Sequence, residues 1–135
     1  MAPSREPDVT FSFAADRTAS RQARIALEPL LTHDSDPLRI AVTLAASELV
    51  SNVVKHTAGG GILRVWDPKP DAPIRLEVED FDPSPPRMLA PQSHEITGRG
   101  LQLVGTLAER WGYEPLPAGK LVWAEFNRNH HTPPT

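Results

Sequence analysis

The chain has no cysteine among its 135 residues, which excludes disulfide cross-links and thiolate zinc sites. It also lacks an excess of basic charge: 14 Lys and Arg against 17 Asp and Glu leave a formal net charge of −3. Nucleic-acid-binding surfaces carry a basic footprint, and so do polybasic membrane anchors. Direct binding to nucleic acid or to a membrane is therefore not expected. No apolar run approaches the roughly 20 residues that cross a bilayer, and the amino-terminal MAPSREPDVT lacks the apolar core of a signal peptide. The expectation is one soluble cytoplasmic domain, since a chain of this length folds around a single core and buries roughly two-thirds of its unfolded surface.

What the chain has in excess is proline, 15 residues, about twice the ordinary ~5% usage. Pro68, Pro70 and Pro73 form one cluster; Pro83, Pro85, Pro86 and Pro91 form another. Both fall between apolar segments and mark connections. The ends are polar, so residues 1–8 and 128–135 are expected to be flexible tails around a domain at 9–127.

Local patterns give the elements. VTFSF (9–13) alternates as a strand, and residues 16–31 carry Ala19, Ala23, Leu27 and Leu31 at helical spacing. Asp36 followed by Pro37 predicts a helix start with Asp36 as N-cap, and the helix extends to about residue 57, where AGGG ends it through the left-handed conformation open to glycine. ILRVW (62–66) and IRLEVED (74–80) read as strands. GRGLQLVGTLAERWG (98–112) reads as a helix with Leu101, Val104, Leu107, Ala108 and Trp111 on one side, and KLVWAEF (120–126) as a closing strand. The three Trp residues fall on expected apolar faces and read as packing. These elements predict an α+β two-layer sandwich, a mixed sheet against about three helices.

Three features carry chemistry. Glu48, Asn52 and His56 recur every fourth residue and so share one side of the second helix, flanked by the small Ala41 and Ala45. A solvated face is the plainer reading; the chemical one is a hard-cation and phosphate site, because Mg²⁺ takes one or two protein oxygens plus substrate phosphates. Asn52 offers such an oxygen, and Glu48 can act as general base. His56 either touches phosphate or serves as a cation at the helix C-terminus. Asp80, at a strand end, is a turn former or an acceptor for an exocyclic amine, the group that separates adenine from guanine. Finally, Gly98, Arg99 and Gly100 open a helix, where free N–H groups favour phosphate.

In order along the chain, SELVSNVVKHT, VEDFDPSPP, GRGLQLV and KLVWAEF resemble the boxes of the GHKL, or histidine-kinase-like, ATPase family. The resemblance is nearest to stand-alone anti-sigma-factor serine kinases of actinobacterial type. It implies a Bergerat-type fold binding ATP and Mg²⁺, with Glu48 as catalytic base and Asn52 as Mg²⁺ ligand. Asp80 would recognise adenine, Gly98, Arg99 and Gly100 would approach the phosphates, Leu101 would wall the pocket, and 82–97 would form a lid. The implied activity is phosphorylation of a serine on an anti-sigma-factor antagonist protein, with a sigma factor as further partner and homodimerisation allowed. Two departures stand out: Asp82 replaces the glycine of the family's Asp-x-Gly, and Leu121 stands where the closing strand often supplies a Thr near the nucleotide. They leave open a non-catalytic, nucleotide-responsive partner-binding module. A detached histidine-kinase catalytic domain ranks last, because residues 16–31 contain no phosphoacceptor histidine.

Overall fold

Alternation along two strands decides which side of the sheet is filled. In β2 (Gly61–Trp66) and β3 (Ile74–Asp80), Leu63, Val65, Ile74, Leu76 and Val78 are buried on one face. The antiparallel register sets Leu63 opposite Val78 and Val65 opposite Leu76, so a continuous apolar sheet face forms. β5 (Gly119–Phe126) continues it with Val122, Ala124 and Phe126 opposite Val78, Leu76 and Ile74. β1 (Val9–Phe13) and β4 (Arg110–Leu116) complete the order β1-β2-β3-β5-β4. The computed structural model describes residues 5–57, 59–68, 72–82 and 99–127, with 99–102 as backbone alone. All pairings among the described strands are antiparallel, which corrects the expected mixed sheet.

Helices α1 (Ala19–Leu27), α2 (Asp36–His56) and α3 (Arg99–Leu107) form the second layer. α2 packs between α1 and α3 and onto the sheet, burying Leu38, Val42, Ala46, Leu49, Val50 and Val53. The fold is the expected α+β sandwich. By length and mean hydropathy (1.3 over its most apolar window) α2 could cross a membrane, contrary to the sequence expectation. Half of that window is buried inside the domain, which marks it as a core helix.

Boundaries moved for local reasons. α1 is shorter than 16–31 because Pro29, which lacks an N–H, follows its C-cap Glu28, and residues 28–34 continue only as turns. Ser35, not Asp36, caps α2, accepting the Leu38 N–H on its Oγ at 3.4 Å; Asp36 lies in the first turn and pairs with Arg39. α2 ends on an extended Thr57 (φ −131°), not a left-handed residue. A glycine is needed just beyond for space: a Cβ at Gly60 would lie 1.7 Å from the Phe13 carbonyl oxygen. α3 ends at Leu107, and the stretch read as its continuation is β4. Trp111 keeps its expected contact with the core but makes it from a strand. Residues 5–8 are also tied down, with Trp66 Nε1 donating to the Arg5 carbonyl at 2.9 Å and Asp67 N to Asp8 Oδ2 at 2.7 Å.

The opposite sheet face carries buried charge. Arg75 is 4% exposed and donates to Glu77 at 2.9 Å and to Glu125 at 2.8 Å, with its guanidinium 4.7 Å from the Trp123 ring centroid. Glu125 also pairs with Arg110. Burial pushes the Glu125 carboxyl up, but the hydrogen bonds from Arg110 and Arg75 outweigh it and hold the group below its ordinary value of 4.5. A depressed folded-state value contributes stability above the unfolded value and loses it as pH falls through the folded one. Glu125→Gln is therefore expected to lower the unfolding free energy at pH 7 by about 1.5–3 kcal/mol. Urea titrations should show the gap to wild type closing as pH falls below 4.5.

Candidate functional site

The stripe on α2 survives folding as a half-buried one. Glu48, Asn52 and His56 are each partly exposed, beside fully buried Ala41 and Ala45. Neighbouring Ser47 is committed elsewhere: its Oγ accepts from Arg24 Nη1 at 2.9 Å and its carbonyl from Ser20 Oγ at 3.1 Å, which locks α2 to α1. Among the described residues, the side chains of Glu48 and Asn52 take no hydrogen bond or ion pair, whereas His56 is already engaged within the protein. A carboxylate and an amide held half-buried on a rigid helix, with their oxygens uncommitted, are ready acceptors for a ligand. His56 separates from them in this respect.

Asp80 lies at the end of β3 and is 2% exposed. It is in phase with Ile74, Leu76 and Val78, so it faces the helix layer. Asp80 accepts here from the protein's own donors. Lys120 Nζ lies 2.9 Å from Asp80 Oδ2, and the Asp82 backbone N–H donates to Oδ1 at 2.9 Å. Lys120 Nζ also donates to the Asp82 carbonyl at 3.1 Å. Asp82 thus acts here through its backbone, bracing the pair.

The register corrects one assignment. Lys120 stands directly opposite Asp80, while Leu121 stands opposite Glu79. Successive strand residues point to opposite faces, so Leu121 lies on the far side of the sheet and Lys120 faces Asp80. The sequence reading missed Lys120. A signal existed: Phe126, Ala124 and Val122 alternate inward, and counting back by two reaches Lys120.

Of the glycine turn, Arg99, Gly100 and Leu101 form the first turn of α3, which packs against α2. α3 thus packs on the helix that bears Glu48 and Asn52. Gly98 and the remainder of the expected lid, 83–97, lie outside the described residues, as do the side chains of 99–101. No cluster of three metal-ligating side chains occurs among the described residues. A cation here would rest on one or two protein oxygens plus ligand phosphates, the mode that suits Mg²⁺. The uncommitted Asn52 and Glu48 oxygens fit that requirement.

Comparison with known proteins decides the family. A family model described as the histidine kinase-like ATPase domain matches residues 13–126, nearly the whole folded region. The chain belongs to that family. No curated protein matches it in sequence. Among solved structures, this histidine kinase-like ATPase domain resembles the RsbU and RsbW domains of Rv1364c from Mycobacterium tuberculosis, with a TM-score of 0.65 at 18% identity. That match covers 93% of this chain but 33% of the other, so the chain spans a third of that protein's solved length. The histidine kinase domain of the Erythrobacter litoralis EL346 blue-light activated histidine kinase also matches, with a TM-score of 0.52 at 15% identity. The latter match covers 96% of this chain and 72% of that one. At these identities the likeness establishes the fold.

The close approach of β5 to the end of β3 depends on Gly119, where a Cβ would lie 1.9 Å from the Asp80 carbonyl oxygen. Gly119→Ala must push the strands apart at the Asp80–Lys120 pair and is expected to cost about 1–3 kcal/mol of stability. Gly59→Ala, where an added Cβ meets nothing within 4 Å, should stay within about 0.5 kcal/mol of wild type. Urea unfolding of the two variants checks both values.

Proposed function

We propose that this domain is a cytoplasmic ATP-binding regulatory protein, an anti-sigma-factor-type serine/threonine kinase that uses Mg-ATP to phosphorylate a small antagonist protein. The observation that carries the reading is the pair Glu48 and Asn52, half-buried on successive turns of α2 without a partner among the described residues. Membership of the histidine kinase-like ATPase family supports it. So does the likeness to a protein containing an RsbW domain.

In this reading the Asn52 amide oxygen would hold Mg²⁺, which would supply charge neutralisation at the phosphate oxygens. The first turn of α3, with Arg99 and Gly100, presents backbone N–H groups to those phosphates. Glu48 accepts the proton of the incoming serine hydroxyl. The serine oxygen bonds to the γ-phosphorus, the bridging bond to the β-phosphate breaks, and its electron pair leaves with ADP. Because α2 is packed on three sides, Glu48 and Asn52 keep their relative position without help from the ligand.

Calorimetry and a phosphotransfer assay with the antagonist encoded nearest this protein's gene test the assignment. Asn52→Ala is expected to weaken Mg²⁺-dependent ATP binding at least tenfold. Glu48→Gln should leave ATP affinity within about threefold and lower transfer by roughly 10²–10⁴. Transfer unchanged in Glu48→Gln removes Glu48 as base. ATP binding by the wild type with no transfer to any candidate antagonist leaves the partner-binding module in its place.

A further inference from the structure

The Asp80–Lys120 pair differs from the other ion pairs of the sheet in where it sits and in the backbone that braces it. Arg64–Glu79, Arg75–Glu77 and Arg75–Glu125 lie on the face turned away from the helices, and Trp123 covers Arg75 there. Asp80 and Lys120 lie on the helix-covered face, 2% and 7% exposed, at the end of the sheet where β3 stops. Their Nζ–Oδ2 distance is 2.9 Å, and both also bond the Asp82 backbone, by its N–H to Oδ1 and its carbonyl to Nζ. Each carboxylate oxygen has two lone pairs and takes one of these donors. The ammonium has three N–H groups and spends two. The braced pair therefore keeps acceptor capacity on Asp80 and one donor on Lys120, side by side.

We propose that Lys120 is a base-reading residue, which together with Asp80 presents an acceptor–donor pair to the six-membered edge of a purine nucleotide and admits 6-oxo as well as 6-amino purines. This rests on the nucleotide-binding reading given above. A lone carboxylate accepts from the N6 amine of adenine and is repelled by the lone pairs of guanine O6. Lys120 changes that balance. Adenine offers N6–H to Asp80 and N1 to Lys120; guanine offers N1–H to Asp80 and O6 to Lys120. The lysine stem has four rotatable carbons, so Nζ can serve either neighbour of a fixed Asp80 contact. Its ammonium removes the repulsion that would otherwise exclude guanine. Removing the ammonium has two consequences of opposite sign: the carboxylate is freed for an amine, and the donor for O6 is lost.

The test compares the dissociation constants of Mg-ATP and Mg-GTP for the full chain and for Lys120→Met and Lys120→Arg, by calorimetry. Circular dichroism and thermal unfolding check that each variant folds. The wild type is expected to bind GTP within tenfold of ATP. Lys120→Met should raise the GTP-to-ATP ratio of dissociation constants at least tenfold, and Lys120→Arg, which keeps charge and donors, should hold it within threefold of wild type. A purely structural clasp would weaken or strengthen both nucleotides together and leave the ratio unmoved; that outcome overturns the proposal. So does a wild-type preference for ATP above tenfold, a measurement that stands even where Lys120→Met does not fold. Failure of the wild type to bind either nucleotide overturns the nucleotide reading itself, and is distinct from ATP binding with an unmoved ratio.

Discussion

β3 is paired on both edges and covered by α2, and the positions of the elements around it are set from it. Its inward residues Ile74, Leu76 and Val78 bury the apolar side of α2, and the same period of two carries one step further to Asp80. Register with β5 then fixes Lys120 opposite that carboxylate. A slip of β5 by one residue in this ladder would turn its side chains over, bringing Leu121 opposite Asp80 in place of Lys120. The apolar core is what forbids the slip. Hydrophobic burial over the length of β3 thus determines the placement of a polar pair at its end.

Charge is buried on both faces of the sheet, with different results. Arg75 is surrounded by carboxylates and stacked on Trp123. Breaking such a cluster strands a charge in a poorly solvated place, which is costly, while the intact cluster adds little net stability. Its effect is to fill the solvent face of the sheet with groups matched to each other. The inner pair has only backbone as its further partner and lies next to the layer that carries Glu48 and Asn52. The two clusters differ in place and in bracing: the outer one is held side chain to side chain and turned away from the helices, whereas the inner one faces the helix layer and is held through the Asp82 backbone.

The architecture was largely legible because it rests on periodicity. VTFSF and IRLEVED became strands at the expected residues, and the Glu48–Asn52–His56 stripe followed from helical spacing alone. The errors arose where a tertiary partner overrode a local pattern. Leu101, Val104, Leu107, Ala108 and Trp111 continue helical spacing, yet β5 offered an edge, and residues from Arg110 onward paired with it. Pro115 is tolerated there because an edge strand need not donate on both sides. Lys120 was hidden for a related reason: a lysine in a strand reads as solvent-facing until the register shows which residue stands across from it.

The uncommitted oxygens on α2 pose an energetic problem that the rest of the helix solves. A half-buried carboxylate without a partner loses hydration and gains little in return, so selection for stability alone would favour an apolar or paired residue at position 48. The helix tolerates it because its other sides are heavily engaged. Leu49, Val50 and Val53 are buried, Ser47 is bonded to α1 twice, and Thr57 bonds back to the Val53 carbonyl at the end. Those contacts keep Glu48 and Asn52 from rotating away toward water, which would restore their hydration. A break in the local rules is tolerated where the rest of the fold compensates for it, and here both sides of that exchange lie on one helix.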